Sequence, residues 1–215
     1  MGGSGAGKSW LAEKLQQTLE TKAGRLALDD FYRDRSHLSV AQRAKLNFDN
    51  PSAIDWPRFE AVLQNLAAAR PARVPSYDFE GHCRLSRTRI VEPKPILLVE
   101  GLWLLRRRSI RNFFGLSIFV AAPCATRLTR RLARDLQTRG RTHASVLEQF
   151  RRTVQPMHLK YVEPQKRWAD LILRTCNVAV IKELASLVDE AGFGEPSWRA
   201  RNFDNSRLQK LNFVG

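Results

Sequence analysis

The sequence predicts an α/β fold of three layers around a central parallel sheet, with a small β-hairpin over the substrate site and an arginine-rich helical lid. Three observations predict it. Residues 2–9 read G-x-x-x-x-G-K-S and run straight into a helical pattern, the arrangement of a phosphate-binding loop (P-loop) of NTPase type. Ile96-Leu97-Leu98-Val99 is an unbroken apolar run ending in Glu100-Gly101, as a strand buried on both faces of a parallel sheet reads. A short strand over 25–28 delivers Asp29-Asp30 at its C-terminal end, where ligands bind in doubly wound sheets.

Taken in order, the period of Trp10, Leu11, Leu15 and Leu19 predicts a first helix over 9–20. Polar residues 33–50 read as loop with a helical stretch over 40–46. Pro57 near the start and Phe59, Val62, Leu63 and Leu66 beyond it predict a helix over 56–69. Stretches 74–79 and 88–91 read as strands about a polar turn, a hairpin spanning about 72–92. The strongest strand spans 95–105, and another spans 116–121 before Pro123. A helix over 125–137 carries Arg127, Arg130, Arg131 and Arg134 at one-face spacing, and Arg139-Gly140-Arg141 ends it. A further helix over 145–161 starts from a Ser145/Glu148 capping box and is interrupted by Pro156; together these form a lid of about 125–160. A strand over 169–173 and a helix over 179–190 complete one domain, 1–194, followed by a polar, weakly ordered tail, 195–215. The strand that normally feeds such a loop is missing before Met1; a mis-assigned start codon, with an upstream strand in the full protein, is the expectation.

Composition sets the limits. The chain has 215 residues, 43% apolar and 27% charged, enough for one domain with a sizeable core. No apolar run reaches membrane-span length and no signal peptide precedes the loop, and the three scattered cysteines (Cys83, Cys124, Cys176) read as reduced thiols in a cytoplasmic protein. The net charge of +15 suits a nucleic-acid surface or an arginine-lined nucleotide site. No RNA-binding motif or zinc spacing supports the first, so nucleic acid is disfavoured as the main ligand.

The loop residues Gly2, Gly3, Ser4, Gly5, Ala6 and Gly7 let backbone N–H groups converge on phosphate oxygens, Lys8 reaches the β- and γ-phosphates, and the Ser9 hydroxyl holds Mg²⁺. Asp29 or Asp30 can serve as base for an acceptor hydroxyl, and Glu100 ends a buried strand where a second metal-orienting carboxylate belongs. Four arginines on one helix face repel each other, and an anion under a closing lid would relieve this. Tyr77, Phe79 and His82 in the hairpin offer stacking and hydrogen bonding to a base. These residues define a phosphotransferase and leave its acceptor open.

Longer runs of residues resemble the uridine kinases (uridine–cytidine kinases) of the P-loop kinases. Asp29-Asp30-Phe31-Tyr32-Arg33-Asp34, then Ser36-His37-Leu38-Ser39 and Asn47-Phe48-Asp49-Asn50-Pro51 through Asp55, match that family in order, as do Val74–Arg84, Arg131, Arg134-Asp135, Arg139-Gly140-Arg141, Gln149, Val154-Gln155-Pro156-Met157 and Glu163-Pro164. The resemblance implies Asp29 as catalytic base near Mg²⁺, Ser9 and Glu100 at the metal, and Asp55 and Arg134 on the ribose hydroxyls. It implies Tyr77, Phe79 and His82 around the pyrimidine with Gln149 and Arg139 nearby, and Arg131 and Arg141 reaching the phosphate region or the nucleoside from the lid. ATP or GTP as donor, uridine or cytidine as acceptor and a homotetramer follow in the same way. Ile54 stands where the family has an aromatic residue enclosing the base, Trp103 where it has a smaller aliphatic one, and Arg174-Thr175-Cys176 replaces the usual Pro-Arg-Gly. Kinases of another sugar or sugar phosphate, of phosphoribulokinase type, and a non-catalytic nucleotide- or RNA-binding protein are the alternatives.

Overall fold

Leu11, Leu15 and Leu19 recur at helical spacing and are buried along α1 (Lys8–Leu19), which lies against α8 (Val178–Glu190) in a computed structural model that describes residues 1–190. Trp10, which the same periodicity placed with them, is instead exposed. The predicted tail, 195–215, lies outside the described residues.

Two parallel strand pairs carry the site. β1 (Ala23–Ala27) pairs with β4 (Ile96–Glu100), Ala27 opposite Glu100. β5 (Ile118–Val120) pairs with β6 (Leu171–Leu173). Gly2 bridges Val120, whose N–H donates to the Met1 carbonyl at 2.7 Å. Among the described residues β4 and β5 are not paired with each other, and a cavity of about 130 Å³ lies between them, walled by Leu97, Val99, Ile118, Leu11 and Leu15.

Two apolar clusters meet at this sheet. One gathers Leu11, Leu15, Leu19, Ile96, Leu171, Leu173 and the inner face of α8. The larger one holds Phe31, Phe59, Trp56, Val74 and Trp103; each such side chain contributes about 1.5–3 kcal/mol by leaving water. Ile54 and Trp103 are both 0% exposed within it. Ile54 is therefore a core residue, bridged to Tyr32 and in the same apolar cluster as Tyr77.

β2 (Ala72–Asp78) and β3 (Cys83–Val91) form the predicted hairpin, antiparallel, its register shifting between Pro75 and Ser76, where proline has no N–H for the ladder. Three expectations about boundaries fail for local reasons. β4 stops at Glu100 rather than at 105, and Gly101 beyond it packs so closely on Leu28 that a Cβ there would lie 2.5 Å from the Leu28 Cβ. The capping box belongs to Ser39 and Gln42 at α2 (Val40–Ala44), whereas α6 (His143–Gln149) starts from Thr142, whose hydroxyl accepts from Ser145 N–H. Pro156 does not interrupt its helix. The path continues through a π-helical turn (Phe150–Val154), α7 (Gln155–Met157) and a second π turn (His158–Val162), wider turns that absorb a missing donor.

The remaining α-helices among the described residues are α3 (Trp56–Ala67), α4 (Arg108–Arg111) and α5 (Cys124–Thr138). None of the described helices is long and apolar enough to cross a membrane.

Candidate active site

The phosphate loop is shaped by its glycines. Gly5 has φ +77°, and a Cβ on it would sit 2.2 Å from the Arg127 carbonyl oxygen, so no other residue fits. Gly7, at φ +101°, caps α1 without a side-chain bond, which leaves the first helical N–H groups free for an anion. Lys8 is buried at the loop's end. Ser9 Oγ donates to Glu100 Oε2 at 2.5 Å, and Arg25, one strand away, pairs with the other oxygen. Burial alone would raise the Glu100 carboxyl; the Lys8 charge and the Ser9 and Arg25 bonds outweigh it and hold it below its ordinary range.

Asp29 and Asp30 differ in their partners. Asp30 is bound by Arg89 of the hairpin at 2.9 Å, and burial raises its carboxyl despite that. Asp29, beyond the C-terminal end of β1, has a buried Oδ1 without a hydrogen-bond partner. It is within electrostatic reach of Tyr32, Asp49 and Arg139. Among the described residues no group of three or more His, Cys, Asp or Glu side chains forms a metal cage. Mg²⁺ commonly takes only one or two protein carboxylates and fills its shell with water and substrate phosphates. An orphaned Asp29 oxygen and a Ser9–Glu100 pair at the same sheet edge supply such a donor set.

The hairpin brings the aromatic residues together. Tyr32 and Tyr77 ring centroids are 5.1 Å apart, Tyr77 and Phe79 meet edge-on at 5.4 Å, and Phe48 stacks on His82 at 4.6 Å. Tyr77 is buried with its hydroxyl unpartnered. His82 stands at φ +52° with Nε2 3.3 Å from Arg141 Nη2; burial, then the Arg141 and Arg139 charges, keep it neutral by lowering its pKa. Arg84 binds the Tyr32 carbonyl at 2.8 Å and Asp55 at 3.1 Å, pinning the hairpin to the body.

Two of the four lid arginines are docked, while Arg130 and Arg134 keep contact with solvent. Arg127 and Arg131 are buried. Arg131 donates to Ser4 Oγ at 2.9 Å and to Gln149 Oε1 at 2.8 Å, and Arg130 reaches the Ala6 carbonyl at 3.3 Å. Their mutual repulsion is relieved by a carboxylate of the same helix. Asp135, 0% exposed, lies 3.1 Å from Arg131, 2.8 Å from Arg134 and 3.6 Å from Arg139. Burial pushes its carboxyl up, and the arginines more than reverse that to leave it low. Arg139 also covers the Phe79 ring at 4.9 Å. Gln149 Oε1 accepts from both Arg131 and Arg141, so its oxygen organises the lid. Asp55 likewise has local duties, capping α3 through Arg58 N–H and pairing with Arg84.

Three functional candidates escaped the sequence reading. Asp135 was legible as an acid four residues from Arg131. Asp49, buried, accepts from Thr153 at 3.2 Å and faces Arg131 at 3.9 Å; burial raises its carboxyl. Its only signal was its place in Asn47-Phe48-Asp49. His158, behind the loop, carried no signal beyond its neighbours in the chain.

A phosphate loop, carboxylates at adjacent strand ends and a docked arginine helix define a P-loop kinase, an enzyme that transfers phosphoryl groups. The model of the Phosphoribulokinase / Uridine kinase family matches residues 1–182, and the chain belongs to that family. It is 40% identical over 177 residues to a uridine kinase of Tolumonas auensis, covering 80% of this chain and 83% of that one. It is 41% identical over 172 residues to a uridine kinase of Chloroflexus aurantiacus, covering 80% and 82%. Among solved structures it resembles a putative fructose transport system kinase from Silicibacter sp. TM1040 (TM-score 0.63, 20% identity, 80% and 86% covered) and the phosphoribulokinase from Rhodobacter spheroides (TM-score 0.57, 18% identity, 76% and 63% covered). At such identities these two speak to the fold alone.

Proposed function

We propose that this kinase transfers the γ-phosphate of ATP, or GTP, to the 5′-hydroxyl of uridine or cytidine. The observation that carries the reading is the Asp29 carboxyl: its Oδ1 is buried without a hydrogen-bond partner, just past the strand end that pairs with Glu100, and within electrostatic reach of Tyr32, whose ring meets Tyr77 of the hairpin. In that place it accepts the hydroxyl proton as the oxygen attacks. The loop N–H groups and Lys8 hold the donor phosphates. Arg131 and Arg141 approach them from the lid. Mg²⁺, held by Ser9, Glu100 and Asp29, would neutralise charge on the phosphates when bound. Tyr77, Phe79 and His82 form the aromatic wall for a pyrimidine, with Arg139 beside it, and Asp55, Asp49 and Arg134 are the polar groups offered to ribose hydroxyls. Relatives named uridine kinase at about 40% identity over most of both chains support the acceptor. A cytoplasmic homotetramer is part of the same proposal.

A coupled ADP-release assay over nucleosides and sugars tests it. Turnover is expected with uridine and cytidine, and Asp29→Asn should lower kcat by about 10²–10⁴-fold, the range for a lost general base, with ATP binding kept. Absence of turnover with every pyrimidine nucleoside would sink the acceptor assignment.

A further inference from the structure

Left-handed backbone accounts for glycine at positions 5 and 7, yet not at Gly3. It is absent from the residues with positive φ, which are Gly2, Gly5, Gly7 and Gly140 among the described glycines, so its backbone would admit alanine. What excludes a side chain is one ring. A Cβ on Gly3 would lie 2.7 Å from His158 Nδ1 and 2.8 Å from His158 Cε1, with Arg127 Cδ next at 3.2 Å.

We propose that His158 is a positioning residue for the phosphate loop: its imidazole edge braces Gly3, and position 3 is glycine to receive that ring.

The ring is held from behind. His158 Nε2 is 3.0 Å from Glu163 Oε2, and the other Glu163 oxygen pairs with Lys166. A carboxylate there makes Nε2 the protonated nitrogen. Nδ1, buried and without a hydrogen-bond partner, is then the lone-pair edge turned towards the loop. Burial and the Arg127 charge lower the imidazole pKa to about 4, so the brace adds no cation behind the phosphates. The π turn His158–Val162 begins at this residue, and such wide turns recur where a helix aims a side chain at a site. The void shared by Ser4, Trp103 and His158 is about 10 Å³, too little for more than one water, so the loop cannot retreat into it. Arg131 holds Ser4 and Arg130 holds Ala6; His158 supplies the same restraint at Gly3. The inference rests on the P-loop kinase assignment and is independent of the acceptor.

Calorimetric titration of the full chain with ADP, together with thermal melts, tests it on Gly3→Ala, His158→Ala and the double variant. Gly3→Ala should weaken ADP binding by about 10–100-fold, as ångström-scale misplacement does. His158→Ala should weaken it about 3–10-fold, and the double variant should return to within about threefold of His158→Ala alone, a strong coupling between touching residues. If Gly3→Ala does not fold, a folded, ADP-binding double variant is the expected rescue. A double variant no better than Gly3→Ala would place the clash on the phosphates and overturn the proposal. So would a His158→Ala protein that loses thermal stability while its ADP affinity is unchanged.

Discussion

Replacing Asp135 by asparagine removes one charge from the lid without changing its shape. Asp135 and Arg131 are 0% and 6% exposed in their side chains, so theirs is a buried pair, whereas Arg134 at 38% sees solvent. Breaking a buried pair costs about 3–5 kcal/mol, because the surviving ion is left desolvated. Arg131 keeps a second anion, Asp49, at 3.9 Å, which places the expected loss near the lower end, about 3 kcal/mol. The half-exposed Arg134 pair adds under about 1 kcal/mol. A domain of this size has about 5–15 kcal/mol in total, and about 3 kcal/mol corresponds to a fall of roughly 6–12 °C in Tm. Urea and thermal unfolding at neutral pH measure it directly. Since Arg131 also binds Ser4 of the loop, KM for ATP should rise by about tenfold, the equivalent of 1.4 kcal/mol. A stability loss under about 1 kcal/mol would refute the reasoning and mean that water reaches this cluster.

Gly5→Ala should abolish ADP binding while the protein still folds, because its Cβ would meet the Arg127 carbonyl; calorimetry checks this, and binding within about threefold of wild type would contradict the loop geometry. Glu100→Gln should raise the Mg²⁺ concentration needed for half-maximal activity by about tenfold or more, a fraction of the worth of a charged metal ligand, and chelation by EDTA should stop turnover in every variant. Acid stability carries a sign set by His158. Its folded pKa, about 4, lies below the ordinary 6.5, so the unfolded chain binds the proton first. Stability is full above about pH 6.5 and falls as pH drops towards 4, by about 3 kcal/mol across the window. Urea melts of wild type and His158→Gln should converge as pH falls through that range; parallel curves would show the ring is not buried neutral.

The chain's order of elements and its chemistry lie in local sequence. A G-x-x-x-x-G-K-S run, an unbroken apolar strand ending in Glu100 and hydrophobic periods over α1 and α3 are patterns of neighbours, and neighbours are what a sequence displays. So were Lys8, Ser9, Asp29 and Glu100 as chemical types. Other outcomes depended on residues far apart in the chain. Asp30 rather than Asp29 is taken up because Arg89, 59 residues later, reaches it. The arginine stripe looked like a solvated or anion-seeking face, and became a docked one because Ser4, Asp49 and Gln149 converge on it. Ile54 is fully buried in the cluster that holds Tyr77, and that burial is set by what packs opposite. Gly3 reads in the motif as one more permissive residue; only the fold puts a histidine ring, 155 positions away, where its side chain would have been. Local pattern determines which groups a chain can offer, and long-range packing decides which of them remain free to act.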